Sequence, residues 1–227
     1  STEEANIPDA NLKAALNKKI NSNRADDQAI TQSELESLTG SLNLYNKNIS
    51  NLEGLQYCTN VTSISLNKNN CSDLTPLASL TKLTNLYLSK NNISDISSLK
   101  DLTNLTEVHL DKQNITGPEV TSVGSEATVN NMIKGLDGKP IAIANGDGYT
   151  YDSENNTVVF TGISGNCDKA YSFNQNITIG QAKSDFSGSV TQSVVYEQVG
   201  EEVNIPDANL KAALNKAINS KDRKSVV

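Results

Sequence analysis

Four units recur between residues 42 and 115 in one fixed 22-residue register. Leu42, Ile64, Leu86 and Val108 open them, and Leu44, Leu66, Leu88 and Leu110 follow two places later. Ile49, Cys71, Ile93 and Ile115 come next in the same register. The apolar-x-apolar pair is strand spacing, so its two apolar side chains face one way and the residue between them faces the other. Apolar residues then fall three apart, as Leu52, Leu55 and Cys58, as Leu74, Leu77 and Leu80, and as Ile96, Leu99 and Leu102. Period three suits a 3₁₀-like turn better than an α-helix. A unit this short cannot bury its apolar face alone, so neighbours must stack into a quasi-one-dimensional array. Such a stack offers a sheet to partners and suggests binding or scaffolding before chemistry.

This period and spacing are the signature of a leucine-rich repeat, with about four units over residues 41–117. An inward Asn69 or Asn91 can bond the backbone of neighbouring coils as a ladder. Lys47 and Gln113 replace it in the two end units, as terminal repeats commonly do. Six N-x-S/T sequons fall in the same stretch and recur because the repeat does.

The flanks read differently. In residues 1–40, Leu12, Ala15, Leu16 and Ile20 lie on one helical face after Pro8, with Lys13, Asn17 and Lys18 on the other. Thr31-Gln32-Ser33-Glu34 is a capping box opening a second short helix, and Gly40 reads as its stop. A helical pair with one apolar face suits the open end of a solenoid, so 1–40 is expected to be a helical N-terminal cap. From Gly117-Pro118 to about Val199, turn clusters such as Asn145-Gly146-Asp147-Gly148 separate about seven strand-like runs. The runs at Ala170–Phe173, Asn176–Ile179, Asp185–Val190 and Ser193–Tyr196 count as four separate strands. Residues 118–199 are therefore expected to be an all-β, Ig-like β-sandwich, without the Cys…Trp…Cys hallmark.

The chain then repeats itself: Asn204–Lys216 is identical to Asn6–Lys18 at all thirteen positions. Residues 200–227 are read as the start of a second, duplicated helical cap. Its apolar residues Leu210, Ala213, Leu214 and Ile218 lack a coil of their own, which leaves exposure, packing or self-association through this helix open.

Composition removes several functions. A net charge of -7 gives no electrostatic footprint for nucleic acid or anionic lipid. No apolar run is long enough to span a membrane, and Ser1–Glu4 carries no signal-peptide h-region, as in a mature or trimmed form. Cys58 and Cys71 stand where other units have Leu or Ile, so both read as small buried apolar residues. A disulfide between adjacent coils is the alternative, against which the odd count with Cys167 argues. No Cys/His cluster implies a metal, and no cofactor is expected. Asp26-Asp27, and Asp147 with Asp152, are oxygen donors that could hold calcium but read better as solvated loop acids.

Four features together resemble the internalin family of Gram-positive bacterial surface proteins. They are the segment from IPDANLKAAL to TQSEL, the units as in LTNLYLSKNNISDISSLKDLTNLTE, the exit DKQNITGPEV, and AYSFNQNITIG…FSGSVTQ. The resemblance covers nearly all of residues 3–199. It implies an exported or wall-associated protein whose concave face binds a host or environmental ligand, with an Ig-like domain packed on the last coil. The chain departs from the family in its short array and in having no LPxTG sorting signal.

The outward residues of the strands follow from the register. Asn43, Ser65, Tyr87 and His109 form one column, and Tyr45, Asn67, Ser89 and Asp111 the next; Ser41, Ser63, Asn85 and Glu107 flank them. These two columns are the candidate ligand-binding surface, with Tyr45 and Tyr87 as aromatic anchors. No nucleophile motif accompanies His109, so the expected function is non-enzymatic. The chain reads as an adhesin-like module for a protein or glycan. The alternative is a structural spacer in a tandem array.

Overall fold

The computed structural model describes residues 2–200 and 205–222, with side chains of the last helix through residue 218. The chain forms two compact units, Ser1–Glu197 and Gln198–Val227.

The first unit opens with helix α1, Ala10–Ile20. Asp9 is its N-cap: Oδ1 accepts the amides of Asn11 and Leu12, both at 3.0 Å. Oδ2 accepts the amides of Ser50 and Asn51 at 2.8 and 3.1 Å, so one carboxylate ties the helix to the first repeat. Leu12 and Leu16 are fully buried. Asn17, expected on the polar face, is buried as well. Its Nδ2 donates to the carbonyls of Asp26 and Gln28, and its Oδ1 accepts from Arg24 Nε at 2.8 Å. The loop after α1 folds over that face and uses Asn17 as its anchor, which helical spacing alone does not reveal.

Helix α2, Gln32–Glu36, has the full reciprocal capping box between Thr31 and Glu34. It ends at Ser37, and Gly40 is instead the left-handed first residue of strand β1, Gly40–Asn43. Tyr57 accepts a bond from Gln32 Nε2 at 3.3 Å.

The repeats supply β1, β2 (Val61–Ser65), β3 (Asn85–Tyr87) and the start of β4 (Glu107–Thr116). All pair in parallel, and Leu42, Ile64, Leu86 and Val108 are successive partners. The opposite side carries single 3₁₀ turns at Leu55–Tyr57, Thr75–Leu77 and Ser97–Leu99, the three-residue spacing in physical form. The first three units leave their strands through a left-handed residue, with φ of 52° at Asn46, 58° at Lys68 and 59° at Lys90; Lys112, at 60°, has the same conformation but lies within β4.

The next residue closes the coil. Asn69 Oδ1 accepts the amides of Lys47 and Ile49, both at 3.0 Å. Its Nδ2 donates to Leu44 O and Leu66 O at 2.7 and 2.9 Å. Asn91 repeats this with Cys71 N, Leu66 O and Leu88 O. Gln113 does the same for Ile93 N, Leu88 O and Leu110 O, so the last unit keeps the ladder with a longer carboxamide. Cys58 and Cys71 are free and buried, and desolvation pushes both thiols up to about 12. They are inert core residues.

β4 does not turn away as the earlier strands do. It continues to Thr116 because it gains a new partner. That partner is β10, Ala182–Val195, which lies parallel to β4 and antiparallel to β9, Cys167–Ile179. The repeat sheet and the following region therefore share one seven-stranded sheet in the order β1-β2-β3-β4-β10-β5, with β9 on β10 and β5 at Val120–Thr121. A second, three-stranded antiparallel sheet holds β6 (Ala127–Asn130), β8 (Thr157–Phe160) and β7 (Tyr149–Asp152).

This corrects the expected set of short strands. The four runs between Ala170 and Tyr196 are two long strands. Tyr171, Phe173, Ile177 and Ile179 keep alternation along β9, and Phe186, Val190 and Val194 recur along β10. The intervening polar residues face outward and do not break the strands. Backbones approach closely at two glycines. A Cβ on Gly188 would lie 2.2 Å from Gln113 O, and one on Gly180 would lie 2.3 Å from Thr103 O. Phe160, Tyr171 and Tyr149 meet edge-on or tilted, and Phe173 contacts Phe186 at 5.0 Å.

The second unit is helix α3, Ala208–Asp222, within the duplicated segment. Asp207 Oδ1 accepts Leu210 N at 2.9 Å, as Asp9 does for Leu12. Residues 201–204 of the expected second cap lie outside the described residues. No described helix is long and apolar enough to cross a membrane.

Two outcomes follow. Asn91→Leu leaves the Cys71 amide buried without a partner and takes one of two carboxamide donors from Leu66 O and Leu88 O; it costs about 2 kcal/mol, read as a lower urea midpoint at unchanged m value. Partial burial pushes the Asp9 carboxyl up, but four backbone amides outweigh it and hold its pKa below 3.8. Its stabilisation is thus complete above 3.8 and lost as pH falls through the lowered value. Asp9→Ala costs about 2 kcal/mol near neutrality and flattens the acid limb of the stability–pH curve, measured by denaturant titration at each pH.

Candidate functional site

The parallel register places Asn43, Ser65, Tyr87 and His109 in one column of hydrogen-bonded strands. Ser41, Ser63, Asn85 and Glu107 form the column beside it. Every second residue of each strand is pinned in the core, so the residues between are fixed on the outer side of the sheet. Asn43 and His109 are exposed, and Ser65 and Tyr87 are half-buried.

One cluster dominates. Glu107 Oε2 accepts the Tyr87 hydroxyl at 2.8 Å and Asn85 Nδ2 at 2.9 Å, and Oε1 lies 3.3 Å from His109 Nε2. Tyr87 and His109 meet edge to face at 5.1 Å and 87°. The Tyr87 bond, with help from Asn85 and His109, holds the Glu107 carboxyl below its ordinary value. The same bond pushes the Tyr87 phenol up, because it favours the protonated form. An aromatic edge, a carboxylate, an imidazole and a carboxamide thus sit on one outward patch of β3 and β4. The His109 side chain is 48% exposed on this open face.

A second patch lies one coil-end away. Tyr45, 44% exposed, has Lys68 Nζ 5.3 Å from its ring centroid. Ser89 Oγ donates to Asp111 Oδ1, whose other oxygen faces Lys112 Nζ at 3.6 Å. Partial burial pushes the Asp111 carboxyl up, yet the Ser89 bond and Lys112 leave it lowered. Asn67 Oδ1 accepts the Ser89 amide at 2.7 Å and so sets the backbone of its own column.

The register therefore brings all eight outward residues onto the sheet and its rim. It joins Tyr87 with His109 and Ser89 with Asp111, and leaves Tyr45 apart. Spacing alone misses that Glu107 and Asn85 bind the first patch together and that Lys68 covers Tyr45. The period does place Asn85 and Glu107 side by side, but not the rotamers that join them to Tyr87 and His109. A groove of about 600 Å³ also opens between α1 and β1, where Lys18, Lys19 and Lys47 meet Ser41 and Asn43.

The loop acids considered for calcium are placed too. Asp152 Oδ1 accepts the amides of Glu154 and Asn155, and Oδ2 accepts Asn155 Nδ2 at 2.7 Å, so this carboxylate organises a turn. Among the described residues, no three His, Cys, Asp or Glu side chains gather as a metal site.

Comparison with known proteins places the arrangement. A family model described as the leucine-rich-repeat domain of the endo-beta-N-acetylglucosaminidase EndoS matches residues 7–137. A second, described as the region adjacent to leucine-rich repeats, matches residues 139–195. Among solved structures, internalin InlF of Listeria monocytogenes is 38% identical over 49% of this chain and 32% of its own, with a TM-score of 0.44. Internalin C2 of the same organism is 28% identical over 52% of this chain and 62% of its own, with a TM-score of 0.42. The CBM51-2 and INT domains of Clostridium perfringens ZmpB are 19% identical over 85% of this chain and 36% of theirs, with a TM-score of 0.47. The chain thus spans less than two thirds of each of these solved chains. A search of curated proteins found no match. The repeat-domain model alone covers more than half of the 227 residues, so the chain belongs to that leucine-rich-repeat family, and it is similar to the internalins.

Proposed function

We propose that this chain is a non-enzymatic recognition module, carried outside the cell, that grips a polar protein or glycan surface with the outward columns of its repeat sheet. The observation that carries this reading is the patch in which Glu107 locks Tyr87 and His109 edge to face on the open sheet. A preformed aromatic group loses little rotamer freedom on binding, and aromatic residues dominate interface energetics. Tyr45 under Lys68 supplies a second anchor. Asn43, Ser65, Asn67, Ser89 and Asp111 supply donors and acceptors between the two. In this reading residues 1–40 act as a helical cap, 41–117 as the binding array and 118–199 as an Ig-like extension.

The duplication of Asn6–Lys18 at Asn204–Lys216 favours a second reading, a spacer in a tandem array of such modules. The two readings separate by mutation. The test is a screen of glycan arrays and surface-protein extracts, followed by affinity measurement with Tyr45→Ala, Tyr87→Ala and His109→Ala combined. Loss of a buried aromatic anchor costs about 2 kcal/mol, roughly thirtyfold in Kd. The triple variant should therefore bind at least about a hundredfold more weakly while melting within a few degrees of the parent. Undiminished affinity removes the ligand from this face, and the absence of any ligand together with silent substitutions favours the spacer.

A further inference from the structure

Helix α3 carries the docking residues of α1, but its apolar ones are exposed. Residues 201–220 differ from residues 3–22 at only two of twenty positions, Val203 for Ala5 and Ala217 for Lys19. In α1 the shared residues do defined work. Leu12 and Leu16 are fully buried, and Ile7 sits so close to Gly54 that a Cβ there would lie 2.6 Å from Ile7 Cγ1. Asp9 accepts the Ser50 and Asn51 amides, and Asn11 Nδ2 donates to Asn48 O at 3.0 Å. Their counterparts are Leu210, Leu214, Ile205, Asp207 and Asn209. In α3, Leu210, Leu214 and Ile218 are 53%, 42% and 60% exposed.

A helix with this set of groups is complementary to one kind of surface, which the chain itself displays beneath α1. That surface is the open edge of a leucine-repeat coil: an apolar-x-apolar strand, then a turn with two outward backbone amides, a carbonyl and a glycine. We infer that α3 is a docking helix for such an edge, and that its partner is the uncovered first coil of a leucine-repeat array. Of the two substitutions, Lys19→Ala falls at the groove beside β1, and the Ala5 position keeps an apolar residue. The inference stands apart from what the outward columns of the repeat sheet bind.

The chain can serve as its own probe. Its edge is normally filled by α1, which is tethered and wins by effective concentration, so the intact protein should be monomeric at micromolar concentration. Leu12→Ala loosens α1 and opens the edge to α3. Thermal melts are compared for Leu12→Ala and for Leu12→Ala with Leu210→Asp, over a roughly hundredfold range of protein concentration. If α3 docks, the single variant melts higher than the double. The gap widens with concentration when the edge is reached in another copy and stays constant when it is reached within one chain; either result supports the docking helix. Where Leu12→Ala does not fold, Asp9→Ala takes its place, because Asp207 restores the lost carboxylate. Identical melts for single and double variants at every concentration overturn the inference. So does dimerisation of the intact chain that Leu210→Asp abolishes without any such gap, since that would mark α3 as pairing with itself.

Discussion

The structure depends on one buried interaction, the carboxamide that closes each coil onto the one before it. The first three units must turn out of their strands, and they do so through a left-handed Asn or Lys at positions 46, 68 and 90, a conformation that Lys112 repeats within β4. That conformation costs roughly 1–2 kcal/mol for a residue with a Cβ. It also strips neighbouring amides and carbonyls of strand partners inside the core. Asn69, Asn91 and Gln113 offset both costs by accepting from the turn of the previous coil and donating to carbonyls of both coils. A continuous outer sheet face is the consequence. The Tyr87–His109–Glu107 patch exists only because β3 and β4 are held in this register.

The same logic governs both ends of the array. At the first strand there is no earlier coil to bond, and Asp9 and Asn11 reach the turn at Asn48–Asn51 in its place. At the fourth, β4 runs on and takes β10 as a parallel partner. The hairpin turn of β9 and β10 meets the array as well, with the amides of Gln181 and Ala182 on Leu105 O. An interior unit passes its exposed edge to the next unit, while the ends pass theirs to α1 and to β10. The duplicated α3 is the one docking element of this kind left exposed among the described residues.

Much of this was legible from the residues. The 22-residue period carried the parallel register, the buried leucines, the 3₁₀ turns and the columns of outward residues, because each follows from local spacing. The Thr31–Glu34 box was readable because its chemistry is contained in four residues. What failed was what depends on distant chain. Asn17 looked solvent-facing because nothing in α1 foretells the loop that covers it. The long strands β9 and β10 looked like four because polar residues on an outer face mimic breaks. The candidate site was legible as two columns. Its organisation around Glu107 and Lys68 was not, since side-chain reach across strands is set by rotamers and not by period.

The ladder is tested most directly by native-state amide hydrogen exchange at Ile49, Cys71 and Ile93. These amides lie outside strand pairing, yet each donates to a side-chain carboxamide one coil on. If the carboxamide ladder holds the array together, all three exchange only on global unfolding, as slowly as the amides of Leu66 and Leu88, which bond Tyr87 O and His109 O on the next coil. Fast exchange at these three positions, in a protein whose strands stay protected, would contradict the account.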